Sequence, residues 1–120
     1  MNKYSGTDKD IHQRIYRFVI SCFREVVQKI PKKTETLPII SQISSSLTSM
    51  GANDREANAS GSKRDFVAKY MIVRKETNET LYWLSVADDL GFVTDSIADG
   101  YKQECQEILN IVSSIIKNAR

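Results

Sequence analysis

The side chains able to do chemistry in this 120-residue chain are few and scattered. Histidine occurs once, at His12, and no glutamate stands three residues before it. The Glu-x-x-His pairs by which helical bundles hold two metal ions are therefore absent, and a lone histidine in a first helical turn is expected to be solvated. Asp88, Asp89, Asp95 and Asp99 gather in one short stretch. A divalent cation needs several oxygens converging on one point. The simpler reading gives Asp95 and Asp99 a helix-end electrostatic role and leaves Asp88 and Asp89 solvated. Ser41, Ser44, Ser45, Ser46 and Ser49 have no base and orienting group to make a nucleophile of any of them. The glycines, Gly6, Gly51, Gly61, Gly91 and Gly100, are too dispersed for a phosphate-binding loop. No catalytic residue, metal ligand or cofactor is expected, and the chain reads as non-enzymatic.

What remains is surface chemistry. Arg14, Arg17, Ser21, Arg24 and Gln28 recur at helical spacing and share one face, opposite an apolar stripe. Arg14, Arg17 and Arg24 in such a row can meet successive phosphates of a nucleic acid; the same row also reads as an ordinary solvated face. Tyr82 and Trp83 could stack on bases, but at adjacent helical positions they point in different directions, which suits one to the core and the other to an interface. Cys22 and Cys105 both fall on apolar stripes and read as buried thiols in a reducing compartment rather than as a bridge.

The formal net charge is +2, with 41% hydrophobic and 27% charged residues, which excludes a disordered chain and an integral membrane protein. The charge is uneven. Residues 1–34 carry eight Lys/Arg against three acids, and the remainder carries nine against twelve. This asymmetry points to an anionic partner for one face. The opening MNKYSGTDKD lacks an apolar signal region, and no apolar run approaches the roughly 20 residues that a spanning helix needs. A cytoplasmic protein without a membrane partner is expected.

The elements that position these residues are four amphipathic helices forming one domain over 1–120. The spacing of Ile11, Ile15, Phe18, Val19, Cys22, Val26 and Ile30 predicts a helix over 8–30, with Asp8 and Asp10 at its positive end and Pro31 as its stop. A KKTET linker leads to a helix over 38–59, opened by Pro38 and striped by Ile40, Ile43, Leu47 and Met50. Its serines and Gly51 are mediocre helix formers, so close packing through small side chains must sustain it. Ser62 with Asp65 three residues on predicts the cap of a helix over 62–90. Its stripe is Phe66, Tyr70, Val73, Thr77, Leu81, Leu84 and Ala87, and Gly91-Phe92 closes it. Thr94 or Asp95 caps the last helix, 95–119, whose near-heptad seam is Ile97, Tyr101, Cys105, Ile108, Val112, Ile115 and Ala119. Short connections between such helices predict an all-α, antiparallel up-down-up-down four-helix bundle.

Several short motifs occur in a characteristic order. They are Ser41-Gln42-Ile43, Gly51-Ala52-Asn53, Glu56-Ala57, Ser62-Lys63, Asp65-Phe66, Lys75-Glu76, Glu79 and Tyr82-Trp83-Leu84. In these the chain resembles the bacterial four helix bundle protein family, which includes the proteins encoded in intervening sequences of 23S ribosomal RNA genes. The resemblance runs from about Asp10 to the C-terminus. It implies a four-helix bundle assembled as a cyclic homo-oligomer, a ring-shaped homopentamer, with no enzymatic activity. More distantly, the chain is similar to accessory proteins of diversity-generating retroelements, which bind nucleic acid through a basic outer surface. RNA or another nucleic acid is thus the partner expected besides a second copy of the chain; the alternative is a scaffold with no nucleic-acid role. Gly51, Asn53, Glu56 and Trp83 belong to the family pattern and read as structural or interface residues, through caps, inter-helix hydrogen bonds or subunit contacts.

Overall fold

A computed structural model of the protein describes residues 8–119, with side chains from Ile11 onward. The charge–dipole role expected of Asp8 and Asp10 lies outside the described side chains. Four long helices account for nearly all of it: α1 (Asp8–Glu25), α2 (Leu37–Asn58), α3 (Lys63–Asp89) and α4 (Asp95–Ala119). There is no strand among the described residues. Successive helices pack antiparallel, α2 most extensively on α3 and α3 on α4, while α1 closes the square against α2 and α4. The resulting four-helix bundle measures 44 × 24 × 20 Å.

Local chemistry explains most helix ends. Ser62 is extended (φ −146°, ψ 155°) and its hydroxyl accepts the Asp65 N–H at 3.1 Å, satisfying one orphan donor of α3. At the other end Gly91 takes φ +74°. The Phe92 N–H then reaches back to the Ala87 carbonyl at 2.9 Å and the Gly91 N–H to Asp88 at 3.0 Å, the two bonds of a Schellman ending. Phe92 folds onto the core beside them. Thr94 caps α4 by accepting the Ile97 N–H at 3.3 Å.

The first helix is shorter than the 8–30 predicted from its stripe. It gives way after Glu25 to a 3₁₀ turn at Val27–Lys29 before Ile30 turns extended (φ −71°, ψ 125°) ahead of Pro31. An α-helix would hold Val26 and Ile30 inward but rotate Val27 away. The tighter turn places positions three apart on one side, and Val26, Val27 and Ile30 are all buried. The following KKTET segment is not a passive linker. Thr36 is buried; its hydroxyl donates to the Pro31 carbonyl and accepts the Lys33 N–H at 2.9 Å, tying the turn before α2 begins.

The core contains the predicted stripes with two rotations. On α4, Ala98 and Ile116 are buried while Ile97 and Ile115 are half-buried. Ala98 and Ile116 are 18 residues apart, five whole turns at 100° per residue, so they share one direction, about 100° round from Ile97 and Ile115. On α3, Thr80 takes the buried place and Leu81 is half-buried. Thr80 donates to Ser46 Oγ of α2 at 2.8 Å, and Ser46 in turn donates to the Ile43 carbonyl. Helix α2 therefore persists despite its serines because small and mutually bonded side chains let α3 approach closely. Cys22 and Cys105 are both buried and unbridged; Cys105 Sγ donates to the Thr77 carbonyl at 3.3 Å.

Candidate functional site

The arginine row of α1 lies on its outer face, but its members are not equivalent. Arg14 is turned towards α4. Its Nε and Nη2 donate to the two oxygens of Glu104 at 3.0 and 2.6 Å, and Nη2 also donates to Glu107 at 3.0 Å. The hydrogen bonds from Glu104 and then Glu107 raise its already high pKa. Ninety residues of sequence separate the partners, so the row as read from spacing treated Arg14 as available when its charge is already matched. Arg17 and Arg24 are exposed and have no acidic partner among the described residues. Between them, Ser21 bonds back to the Arg17 carbonyl at 2.9 Å. Glu25, next to Arg24 in sequence, accepts the hydroxyl of Tyr101 on α4. Burial first, and that bond second, raise the tyrosine's pKa.

Two grooves flank the row. One, of about 490 Å³, runs between α1 and α4 under Arg14, Arg17 and Tyr101. The other, of about 580 Å³, runs between α1 and α2; Tyr16 and Arg17 line one wall and Thr48, Ala52 and Arg55 the other. Tyr16 is 65% exposed. Gly51 faces α1 there: a Cβ on it would lie 3.5 Å from Val19 Cγ2, an ordinary contact.

Below this second groove is a polar cluster that sequence reasoning missed. Asp54 is 5% exposed. Its Oδ1 accepts the Tyr70 hydroxyl at 2.6 Å and stands 2.7 Å from His12 Nδ1. One carboxylate oxygen thus joins α1, α2 and α3. His12 is not simply solvated as expected; it is half-buried and engaged. A signal was present, since Asp54 continues the Ile43, Leu47, Met50 stripe at the next inward position, and a buried carboxylate requires donors.

The remaining predicted residues sit apart from the grooves' basic walls. Asn53 donates to the Ser49 carbonyl at 2.9 Å, and Glu56 pairs with Lys69 of α3 at 2.8 Å. Trp83 packs against the core while Tyr82, 61% exposed, meets its ring edge-on at 4.8 Å between centroids. At the α3–α4 turn Asp88 is not free in solvent: Lys102 donates to it at 2.8 Å. That bond holds the Asp88 carboxyl below its ordinary range, and the bond shared with Asp88 pushes Asp95 up. No group of three or more His, Cys, Asp or Glu among the described residues is placed to hold a metal ion.

The family model described as 23S rRNA-intervening sequence protein matches residues 7–114. A crystal structure of a protein with unknown function from the S23 ribosomal protein family of Bacteroides thetaiotaomicron is similar at 30% sequence identity with a TM-score of 0.80. The match covers 89% of this chain and 98% of that one. No curated protein matches the chain.

Proposed function

The chain belongs to the 23S rRNA-intervening sequence protein family, and from that premise we propose that it is a non-enzymatic, oligomeric binding module that takes RNA or another nucleic acid on the outer face of α1. The observation that carries this reading is the pair Arg17 and Arg24. They lie two helical turns apart, about 10.5 Å along the axis, exposed and unmatched by any acid among the described residues. Guanidinium groups in this state bind phosphate oxygens without first giving up a carboxylate. Repetition around a ring, a pentamer by family resemblance, would turn two arginines into a belt. Tyr82, Leu90 and Leu37, each more than half exposed, are apolar surface available for such self-association. The module is cytoplasmic in this reading, which suits two unbridged cysteines, and no described helix is long and apolar enough to cross a membrane.

The test is titration of labelled RNA and DNA against wild type, Arg17→Gln/Arg24→Gln and Arg14→Gln at low and moderate salt. Affinity falls with salt with a slope of about 0.9 per duplex phosphate neutralised. The double variant loses affinity and slope, whereas Arg14→Gln, whose charge already serves Glu104 and Glu107, changes little. Light scattering gives the oligomer mass in the same samples. If wild type binds nothing at low salt, the competing reading stands: a protein-interaction scaffold, supported by the exposed Ile72 and Tyr82 on α3.

A further inference from the structure

We infer that the groove between α1 and α2 is a single-strand site, in which an unpaired base stacks on Tyr16 while Arg17 and Arg55 hold the phosphates on either side. This rests on the nucleic-acid reading above and narrows it to one groove and one form of ligand.

The argument starts from the tyrosine. A ring 65% exposed on a helix whose other aromatic rings, Phe18 and Phe23, pack into the core contributes little to this fold. Ile20, one turn on and 36% exposed, extends the same apolar surface. The opposite wall is made of small residues, Thr48 and Ala52, and the groove's volume of about 580 Å³ lies within the range of pockets that enclose small planar ligands. Two cations edge it, Arg17 from α1 and Arg55 from α2, both exposed and without an acidic partner among the described residues. Arg24 lies farther along α1, in a second hollow that shares Tyr16 and Arg17 with this groove and also holds Ile20 and Glu25, which is engaged by Tyr101. The acid in the groove, Asp54, faces it with a side chain only 7% exposed and already engaged by His12 and Tyr70. Its carboxylate is therefore turned into the bundle, with little of it in reach of an incoming phosphate.

An aromatic platform between backbone-binding cations is the arrangement that holds single strands, because every base has a π-face and the contact tolerates any sequence. A duplex cannot use it: its bases are stacked on one another and present only their edges. A groove of these contents thus favours an anionic, unstacked ligand over a duplex, and over an acidic protein segment that would bring no planar ring.

The experiment uses the full chain and a fluorescein-labelled RNA of mixed sequence, the DNA of the same sequence, and the RNA annealed to its complement, all at low salt. Single strands should bind more tightly than the duplex. Tyr16→Ala should weaken single-strand binding by about 5- to 150-fold, the worth of one stacked base, while Tyr16→Phe, which keeps the ring, stays within about twofold. Arg55→Gln should lower the salt slope by about 0.7, one phosphate on a single strand. Light scattering should give the same mass for every variant. Equal binding of duplex and single strand, with Tyr16→Ala neutral and Arg17→Gln/Arg24→Gln still weakened, overturns the stacking groove and leaves the broader nucleic-acid reading intact. A lower oligomer mass for Tyr16→Ala makes Tyr16 a subunit contact and also overturns it. Absence of wild-type binding to all three probes removes both readings.

Discussion

Replacing Asp54 with alanine is the perturbation whose cost the structure sets most directly. The carboxylate is 5% exposed and accepts from Tyr70, a side chain with no exposure, and engages His12, whose side chain is 20% exposed. A hydrogen bond to a charged group contributes about 1.5–3 kcal/mol, and the cost of its loss depends on whether the remaining partner can reach water. His12 can turn to solvent, so its share falls at the low end. The Tyr70 hydroxyl loses the carboxylate deep between α2 and α3, so its share falls near the middle of that range. Asp54→Ala is therefore expected to destabilise by about 3–4 kcal/mol, a large part of the 5–15 typical of a domain. Asp54→Asn retains an acceptor oxygen and should cost about half as much. Urea unfolding followed by helical circular dichroism and by Trp83 fluorescence, at one fixed protein concentration, measures both. A double-mutant cycle with Tyr70→Phe isolates the bond and should show coupling of about 1–2 kcal/mol. A cost below about 1 kcal/mol for Asp54→Ala, or additivity within about 0.5 kcal/mol, would refute the cluster's role in joining the helices.

Three further outcomes are expected. Burial pushes the Cys105 thiol up to about 12 and raises Cys22 as well, with Cys105 as its neighbour. Ellman's reagent at mildly alkaline pH should label neither thiol in the native protein and both in denaturant, and rapid native labelling would contradict their burial. Lys102→Met should lower the urea midpoint at neutral pH. Because Lys102 depresses Asp88, that contribution is present above the ordinary carboxylate value of 3.8 and is lost as pH falls through the folded value. Asp95, raised by Asp88, contributes in the opposite sense, below 3.8 and lost as pH rises through its folded value. The gap between variant and wild type should thus close on acidification, as a midpoint series against pH will record. Gly91→Ala forces a Cβ onto φ +74° and should cost about 1 kcal/mol, whereas helical Gly51→Ala makes an ordinary 3.5 Å contact with Val19 and should gain about 0.5–1 kcal/mol by thermal melts.

The four helices, their order and most of their ends are legible from the residues alone. Caps and endings such as Ser62–Asp65 and Gly91–Phe92 close within six residues, so spacing alone carries them. One departure obeys local physics: the α1 terminus tightens to bury Val27 beside Val26 and Ile30. The rotation of α4 that buries Ala98 and Ile116 is set instead by its packing against α3 and α1. Tertiary structure decided which polar side chains meet. Arg14 and Glu104 are 90 residues apart, and His12 and Asp54 are 42. Periodicity gives the face a residue occupies, but not the rotation and vertical register of the helix opposite. A shift of one turn would hand Arg14 a different neighbour and return it to the exposed row. That register comes from core packing summed over the whole bundle, through Ser46, Met50, Thr77 and Thr80 between α2 and α3, and it leaves Arg17, Arg24 and Arg55 as the unmatched cations around Tyr16.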